Sequence, residues 1–265
     1  MQTVAIIGVG AMGTAIARGL EAAGWSKLDL RLSDASVERV GELTEDGYLA
    51  WTDPTIAAES ARVVVLAVKP GIVPEVLSAL APSVGPAHVV VSIAAGVRLV
   101  TLEGGLPGVP CVRAMPNTPA LVGEGITGYA AGIATTDADV ADAAAVLAAI
   151  GEAVQVEESD LDAVTAVSGS GPAYVFLLTE ALAEAARAEG LEPEAAEKLA
   201  RQTVVGAGAL LGADPASAEE LRRRVTSPNG TTEAAIKSFE QDGFRRVVRK
   251  AVEAARVRSE ELGAD

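Results

Sequence analysis

Val4-Ala5-Ile6-Ile7-Gly8-Val9-Gly10-Ala11-Met12-Gly13 runs from an apolar stretch through a GxGxxG turn into a helix of small residues. A turn of this kind between strand and helix makes a dinucleotide the first ligand to consider. Its first glycine permits the tight bend, its second lets the backbone approach a pyrophosphate, and its third lets the helix pack close to the strand. The helix N-terminus then points unpaired amides at the phosphates. With 27 glycines in 265 residues such a spacing arises easily by chance, so the flanking strand and helix carry the argument.

Beyond the turn, short β-branched runs alternate with helical segments up to about residue 155, the pattern of a doubly wound, mostly parallel sheet. The expected strands are Val4 to Gly8, Leu28 to Ser33, Val63 to Val68, Val89 to Ala94, Cys111 to Met115, Gly128 to Ala134 and a short one near Ala153 to Val156. Their continuous apolar character predicts burial on both faces. From Leu161 onward strand signals disappear and helices are expected over Ala173 to Glu189, Pro193 to Leu211, Ser217 to Val225 and from Thr232 to the C-terminus. The fold class is therefore an α/β Rossmann N-terminal domain, residues 1–157, followed by an all-α domain, residues 158–265. Ala173 to Ala183 is apolar around most of its circumference and must be covered on most sides. An intertwined dimer would cover it, and a central helix in a self-contained bundle is the alternative.

Composition narrows the class. Apolar residues make up 49% of the chain, enough for a substantial core. Twenty-one basic residues against 36 acidic ones give a formal charge of −15, which argues against a general nucleic-acid or membrane-surface binder. Cys111 and His88 are each the single residue of their kind, so no intramolecular disulfide, cysteine cluster or histidine metal site is expected. No N-terminal signal pattern and no apolar run of bilayer length is read, so a cytoplasmic protein is expected.

The residues suited to chemistry sit at predicted strand ends. Ser33-Asp34-Ala35-Ser36 occupies the tip of the second strand, where a ribose reader is expected. Asp34 would accept hydrogen bonds from both hydroxyls of an NAD ribose and repel a 2′-phosphate, whereas Ser33, Ser36 and Arg39 suit the phosphate of NADP. Asp34 or Ser36 as a plain helix cap is the simpler alternative. Lys69-Pro70 ends another strand, beside a cofactor or merely in solvent. Pro116 and Pro119 stiffen the loop holding Asn117. Thr226-Ser227-Pro228-Asn229-Gly230-Thr231-Thr232-Glu233 leads into the last helix with amides and hydroxyls suited to a carboxylate, or as an ordinary helix start. With no acid–base triad or metal cluster in view, the residues offer recognition by amides and hydroxyls, which suits hydride transfer.

These segments together resemble the pyrroline-5-carboxylate reductases, the last enzymes of proline biosynthesis. The resemblance spans essentially the whole chain and rests on IGVGAMGTAIARGL (7–20), VVVLAVKP (63–70), VSIAAGV (91–97), VRAMPNTPALVGEG (112–125), DAVTAVSGSGPAYVFLLTEAL (162–182) and the stretch from VTSPNGTTEAAIKSF onward (225–262). It implies an active site between a nicotinamide held by one subunit and the SPxGTT loop at a dimer interface, with homodimers able to form larger rings. It also implies that Gly8, Gly10, Ala11 and Met12 contact the pyrophosphate and that Ala67, Val68, Lys69, Pro70, Ala94 and Ala95 line the rest of the cofactor. Asn117 would lie near the nicotinamide. Ser227, Gly230, Thr231 and Thr232 would hold the substrate, 1-pyrroline-5-carboxylate, with the Thr232 hydroxyl beside the ring nitrogen as the catalytic group. Ser168, Gly169, Ser170, Gly171 and Pro172 would shape the interface side of the pocket.

Two positions depart from the family pattern. Asn229 stands where a second glycine is usual, and Asp34 where a neutral residue is more common. NADPH is the cofactor the resemblance implies, with NADH opened as an alternative by Asp34. Two other readings stand beside this one: a related imine or hydroxy-acid dehydrogenase, which would want a lysine such as Lys198 or Lys237 as acid–base, and a non-catalytic NAD(P)-binding dimer that senses redox state.

Overall fold

The structure, a computed structural model, describes residues 2–263, so residue 1 and residues 264–265 of the expected domain spans lie outside it. In chain order the first elements are β1 (Val4–Ile7), α1 (Ala11–Ala22), β2 (Leu30–Ser33), α2 (Val37–Glu45), β3 (Leu49–Trp51), α3 (Pro54–Ala58), β4 (Val63–Leu66) and α4 (Val73–Leu80). They are followed by β5 (Val89–Ser92), α5 (Leu99–Gly105), β6 (Cys111–Met115), β7 (Gly125–Ala131), α6 (Asp137–Leu147), β8 (Gly151–Gln155) and the single turn α7 (Leu161–Val164). The strands form one sheet in the order β3-β2-β1-β4-β5-β6-β7-β8, parallel except where β7 meets β6. This order puts the C-terminal ends of β1, β2, β4, β5 and β6 along one edge, where ligands bind in open α/β sheets.

Strand alternation builds two cores. Val4, Ile6, Val63, Val65, Val89 and Val91 pack with α1 and α6 on one face. Ala5, Ile7, Val64, Leu66 and Val90 pack with α3, α4 and α5 on the other. Every residue of β1, β4 and β5 is buried, as continuous apolar runs require in a parallel sheet covered on both sides.

The helical segment continues with α8 (Gly171–Ala188), α9 (Pro193–Ala213), α10 (Ala218–Arg224), α11 (Thr231–Gln241) and α12 (Phe244–Leu262). The single helix expected from Thr232 onward is thus two, broken at Asp242-Gly243, where Gly243 takes a φ of +76° that an L side chain rarely adopts. Residues up to Gly169, together with those from Ala255 onward, form one compact unit, and Ser170–Ala254 form a second. The contact boundary falls later than the expected residue 157 because Glu158 to Gly169 packs on the sheet. Leu161 and Ala166 are fully buried there, and a Cβ on Gly128 of β7 would sit 2.7 Å from Val164 Cγ1. The last helix returns to the sheet unit, where the Ser259 hydroxyl donates to Asp162 Oδ1 at 2.6 Å.

The two units differ in how well each is covered. Among the described residues of the second unit only Ala183, Ala196 and Ala200 are buried, while Phe176 and Leu177 of α8 are 62% and 65% exposed. A helix central to a self-contained bundle would not leave them so. Glu158–Ala188 is moreover long and apolar enough to cross a membrane by length and composition. The expectation that no stretch reaches that length is corrected: Ser, Thr and Gly between the apolar residues interrupt a strict run without making the segment polar.

Candidate active site

The three glycines of the first turn do three different jobs. Gly8 has a φ of +91°, and a Cβ there would lie 2.8 Å from both the Ala67 carbonyl oxygen and Val68 Cγ1, so the chain leaving β1 passes against the end of β4. The Gly8 amide also donates to the Ser33 carbonyl at 2.7 Å, tying it to β2. A Cβ at Gly13 would fall 2.1 Å from the Gly8 carbonyl oxygen, which is why α1 packs so close to its strand. At Gly10 a Cβ would meet nothing within 4 Å. Gly10 is the N-cap of α1 and no side chain caps this helix, so its first-turn amides face an open space. The turn fits a pyrophosphate: close packing behind, free amides and room in front.

The tip of β2 braces this turn. Asp34 accepts the Val9 amide on Oδ2 at 2.8 Å and the Ser36 amide on Oδ1 at 3.0 Å. Ser36 is the N-cap of α2, its hydroxyl accepting from the Arg39 amide at 3.1 Å and donating to Glu38 at 2.8 Å. Arg39 reaches back, donating from Nε to the Val9 carbonyl (3.1 Å) and from Nη2 to the Thr14 hydroxyl (2.8 Å), while Nη1 pairs with Glu42 at 2.7 Å. The Arg39 bracing of the turn has no local sequence signal, because its partners lie 25 and 30 positions away.

Along the same edge, Ala67, Val68, Lys69 and Pro70 follow β4, with Lys69 and Pro70 exposed. Ala94, buried, and Ala95, exposed, follow β5. The start of α5 behind them is fixed by Glu158, whose Oε1 accepts both the Leu99 amide (2.7 Å) and Arg113 Nη1 (3.2 Å). Asn117 after β6 is buried, and its carboxamide is held at both ends. Nδ2 donates to the Ser168 carbonyl at 3.1 Å and Oδ1 accepts the Ile126 amide at 2.9 Å. That clamp fastens the Pro116–Pro119 loop to the π-helical turn Thr165–Gly169, an irregularity frequent at functional sites. Gly169 lies close enough to β6 that a Cβ would meet Met115 Cε at 3.0 Å. The sheet unit therefore gathers all the residues expected to hold the dinucleotide, with Asn117, Ser168 and Gly169.

Ser170, Gly171, Pro172 and the 226–233 loop belong to the second unit. Pro172 opens α8, where the missing amide of proline costs nothing. In the loop, Asn229 takes a φ of +59°, the left-handed conformation that the family's glycine would adopt freely. The Gly230 amide closes the turn on the Ser227 carbonyl at 3.0 Å, and Glu233 accepts the Asn229 amide at 2.8 Å. That hydrogen bond, with Lys237 at 3.1 Å, holds the Glu233 carboxyl below its usual range. No side chain caps α11 at Gly230, so its first-turn amides are presented together with the exposed Thr231 and half-buried Thr232. Lys237, a candidate acid–base group for other dehydrogenases, is committed to Glu233.

Comparison with known proteins matches the two parts of the chain separately, with the second match beginning at residue 158, ahead of Ser170. A family model described as pyrroline-5-carboxylate reductase dimerisation matches residues 158–262, and one described as NADP oxidoreductase, coenzyme F420-dependent, matches residues 3–96. A pyrroline-5-carboxylate reductase of Pseudomonas aeruginosa is 44% identical over 263 residues, covering 98% of this chain and 96% of its own. The solved structure of a pyrroline-5-carboxylate reductase from Coxiella burnetii superposes with a TM-score of 0.94 at 38% identity, covering 98% of each chain. That of the Plasmodium falciparum pyrroline carboxylate reductase with NADP bound gives 0.83 at 30% identity, covering 99% of this chain and 98% of that one. With likeness running through both the nucleotide-binding edge and the helices beyond it, the chain belongs to the pyrroline-5-carboxylate reductase family.

Proposed function

We propose that this chain reduces the C=N bond of 1-pyrroline-5-carboxylate to L-proline with NAD(P)H, the last step of proline biosynthesis. The observation that carries the reading is the closely packed, side-chain-uncapped glycine turn at Gly8–Gly13 in a chain alike over nearly its whole length to reductases of this name. When bound, the nicotinamide supplies a hydride to C5 of the imine. The ring nitrogen gains a proton, and a protonated imine is electrophilic enough that no metal or strong acid is required.

The chain's own residues bind and orient. Gly8, Gly10, Ala11 and Met12 receive the pyrophosphate, while Ala67 to Pro70, Ala94 and Ala95 line the rest of the dinucleotide. Asn117 keeps the nearby loop rigid. Ser227, Gly230 and Thr231 receive the substrate carboxylate on amides and hydroxyls at a helix N-terminus. The Thr232 hydroxyl, or a water it holds, delivers the proton to nitrogen. A homodimer completes the site, with Ser168 to Pro172 at its interface side, and dimers join into larger rings. The exposed α8 residues support the dimer, since burying each such side chain contributes roughly 1.5–3 kcal/mol.

Purified protein given pyrroline-5-carboxylate with NADH or NADPH should form proline as nicotinamide absorbance falls. No substrate-dependent fall with either cofactor would remove this reading and leave a related dehydrogenase of another substrate or a nucleotide-binding regulator.

A further inference from the structure

The groups that suit a 2′-phosphate in the sequence are either buried or already bonded in the folded chain. Ser33 is buried in the sheet, 2% exposed. The Ser36 hydroxyl is spent on the Arg39 amide and on Glu38. The Arg39 guanidinium is divided among the Val9 carbonyl, the Thr14 hydroxyl and Glu42. Arg31, the other cation of this β2–α2 segment, donates to the carbonyls of Ile56 and Ala57 and lies 4.6 Å over the Trp51 ring. What remains at the tip of β2 is a carboxylate. Asp34 uses one site on each oxygen for a backbone amide, and a carboxylate has about four such sites, so acceptor capacity remains on both oxygens.

Resting on the reading of residues 8–13 as a nucleotide turn, we infer that Asp34 makes this chain select NADH over NADPH. Its free lone pairs accept the two hydroxyls of an adenosine ribose. A 2′-phosphate in the same place would bring close to two negative charges against a fixed carboxylate, with Glu38 and Glu42 on the next helical turns and no uncommitted cation on this segment to answer them. Asp34 is also a brace of the turn, so its loss weakens both nucleotides. The ratio of the two affinities isolates the charge effect from the bracing.

The test is calorimetric titration of the full-length protein with NAD+ and NADP+ in the absence of substrate. NAD+ is expected to bind at least about tenfold more tightly, and Asp34→Ser to shift the ratio toward NADP+ by about tenfold or more. Asp34→Asn, which keeps one acceptor oxygen and the side-chain size, should shift it the same way and serves should Asp34→Ser fail to fold. Equal or tighter NADP+ binding by the unaltered chain, or a ratio unmoved in the folded variants, overturns the inference. Failure of both nucleotides to bind overturns the nucleotide reading itself, and the inference with it.

Discussion

The turn at residues 8–13 and the loop at residues 226–233 each deliver the chain into an uncapped helix, α1 and α11, yet they are held very differently. The first is fastened from three sides, by β4 against Gly8, by the Gly8 carbonyl against Gly13, and by Asp34 and Arg39 on the Val9 amide and carbonyl. The second is held by local bonds, Thr226 to Arg222 and Arg223, the Gly230 amide to Ser227 and Glu233 to the Asn229 amide, and its surroundings within the unit are largely exposed. A pyrophosphate site preorganised inside one chain pays little on binding. A loop that leaves helix amides unpaired suits the proposed site at a dimer interface, and the dimerisation match over residues 158–262 supports a homo-oligomer.

The difference can be broken most sharply at the glycines. Gly13→Ala places a methyl 2.1 Å from a carbonyl oxygen and must push α1 off β1. It should cost at least about 3 kcal/mol, at the upper end for overpacking, and abolish dinucleotide binding. Gly10→Ala meets no atom of the described residues within 4 Å, so melting should stay near the parent's while nucleotide affinity falls at least about tenfold, because the methyl would occupy the phosphate's space. A Gly10→Ala protein that binds as before would move the pyrophosphate away from this turn.

At the second loop the effect should appear in turnover and not in folding. Thr232→Ala is expected to lower kcat about a hundredfold, in the range of a lost proton donor, with nucleotide binding nearly intact by titration. Unchanged steady-state kinetics would take Thr232 out of the reaction.

A third contrast lies in acid. Burial by itself would raise the Asp139 carboxyl, but the amide and hydroxyl of Thr136 and the Arg62 guanidinium together hold it below its usual range. A carboxyl depressed in the folded state contributes stability above its unfolded pKa of about 3.9, and that contribution disappears as pH falls through the lower folded value. Asp139→Ala should therefore cost about 3 kcal/mol at neutral pH, since Arg62 keeps Asp142, with a smaller penalty below about pH 4 by urea melts. The smallest effect is expected at Asn229. Replacing it with glycine at φ +59° should alter stability by less than about 1 kcal/mol and leave the Michaelis constant for the substrate within a few-fold.

Most of the sheet was legible because it is written in local patterns: the all-buried strands β1, β4 and β5 are continuous apolar runs. β3 is three half-buried residues, too short to show a period, and the antiparallel entry of β7 leaves no mark in its composition. At the site, the glycine roles could be read because each follows from the geometry of a tight turn. The sequence suggests Asp34 as a ribose ligand or helix cap and Arg39 as a phosphate ligand, but not that both brace the turn at Val9. Both bonds cross 25 or more positions, which neither periodicity nor spacing records.

The return of α12 bears on how the chain is made. Ser259 reaches Asp162 across 97 positions, and a Cβ at Gly96 would lie 3.2 Å from the Leu262 carbonyl oxygen, beside the loop that carries Ala94 and Ala95. During synthesis the sheet must therefore wait, with this seam unsealed, until all of Ser170–Ala254 has left the ribosome. The helices of Ser170–Ala254 therefore emerge before the unit that precedes them is complete.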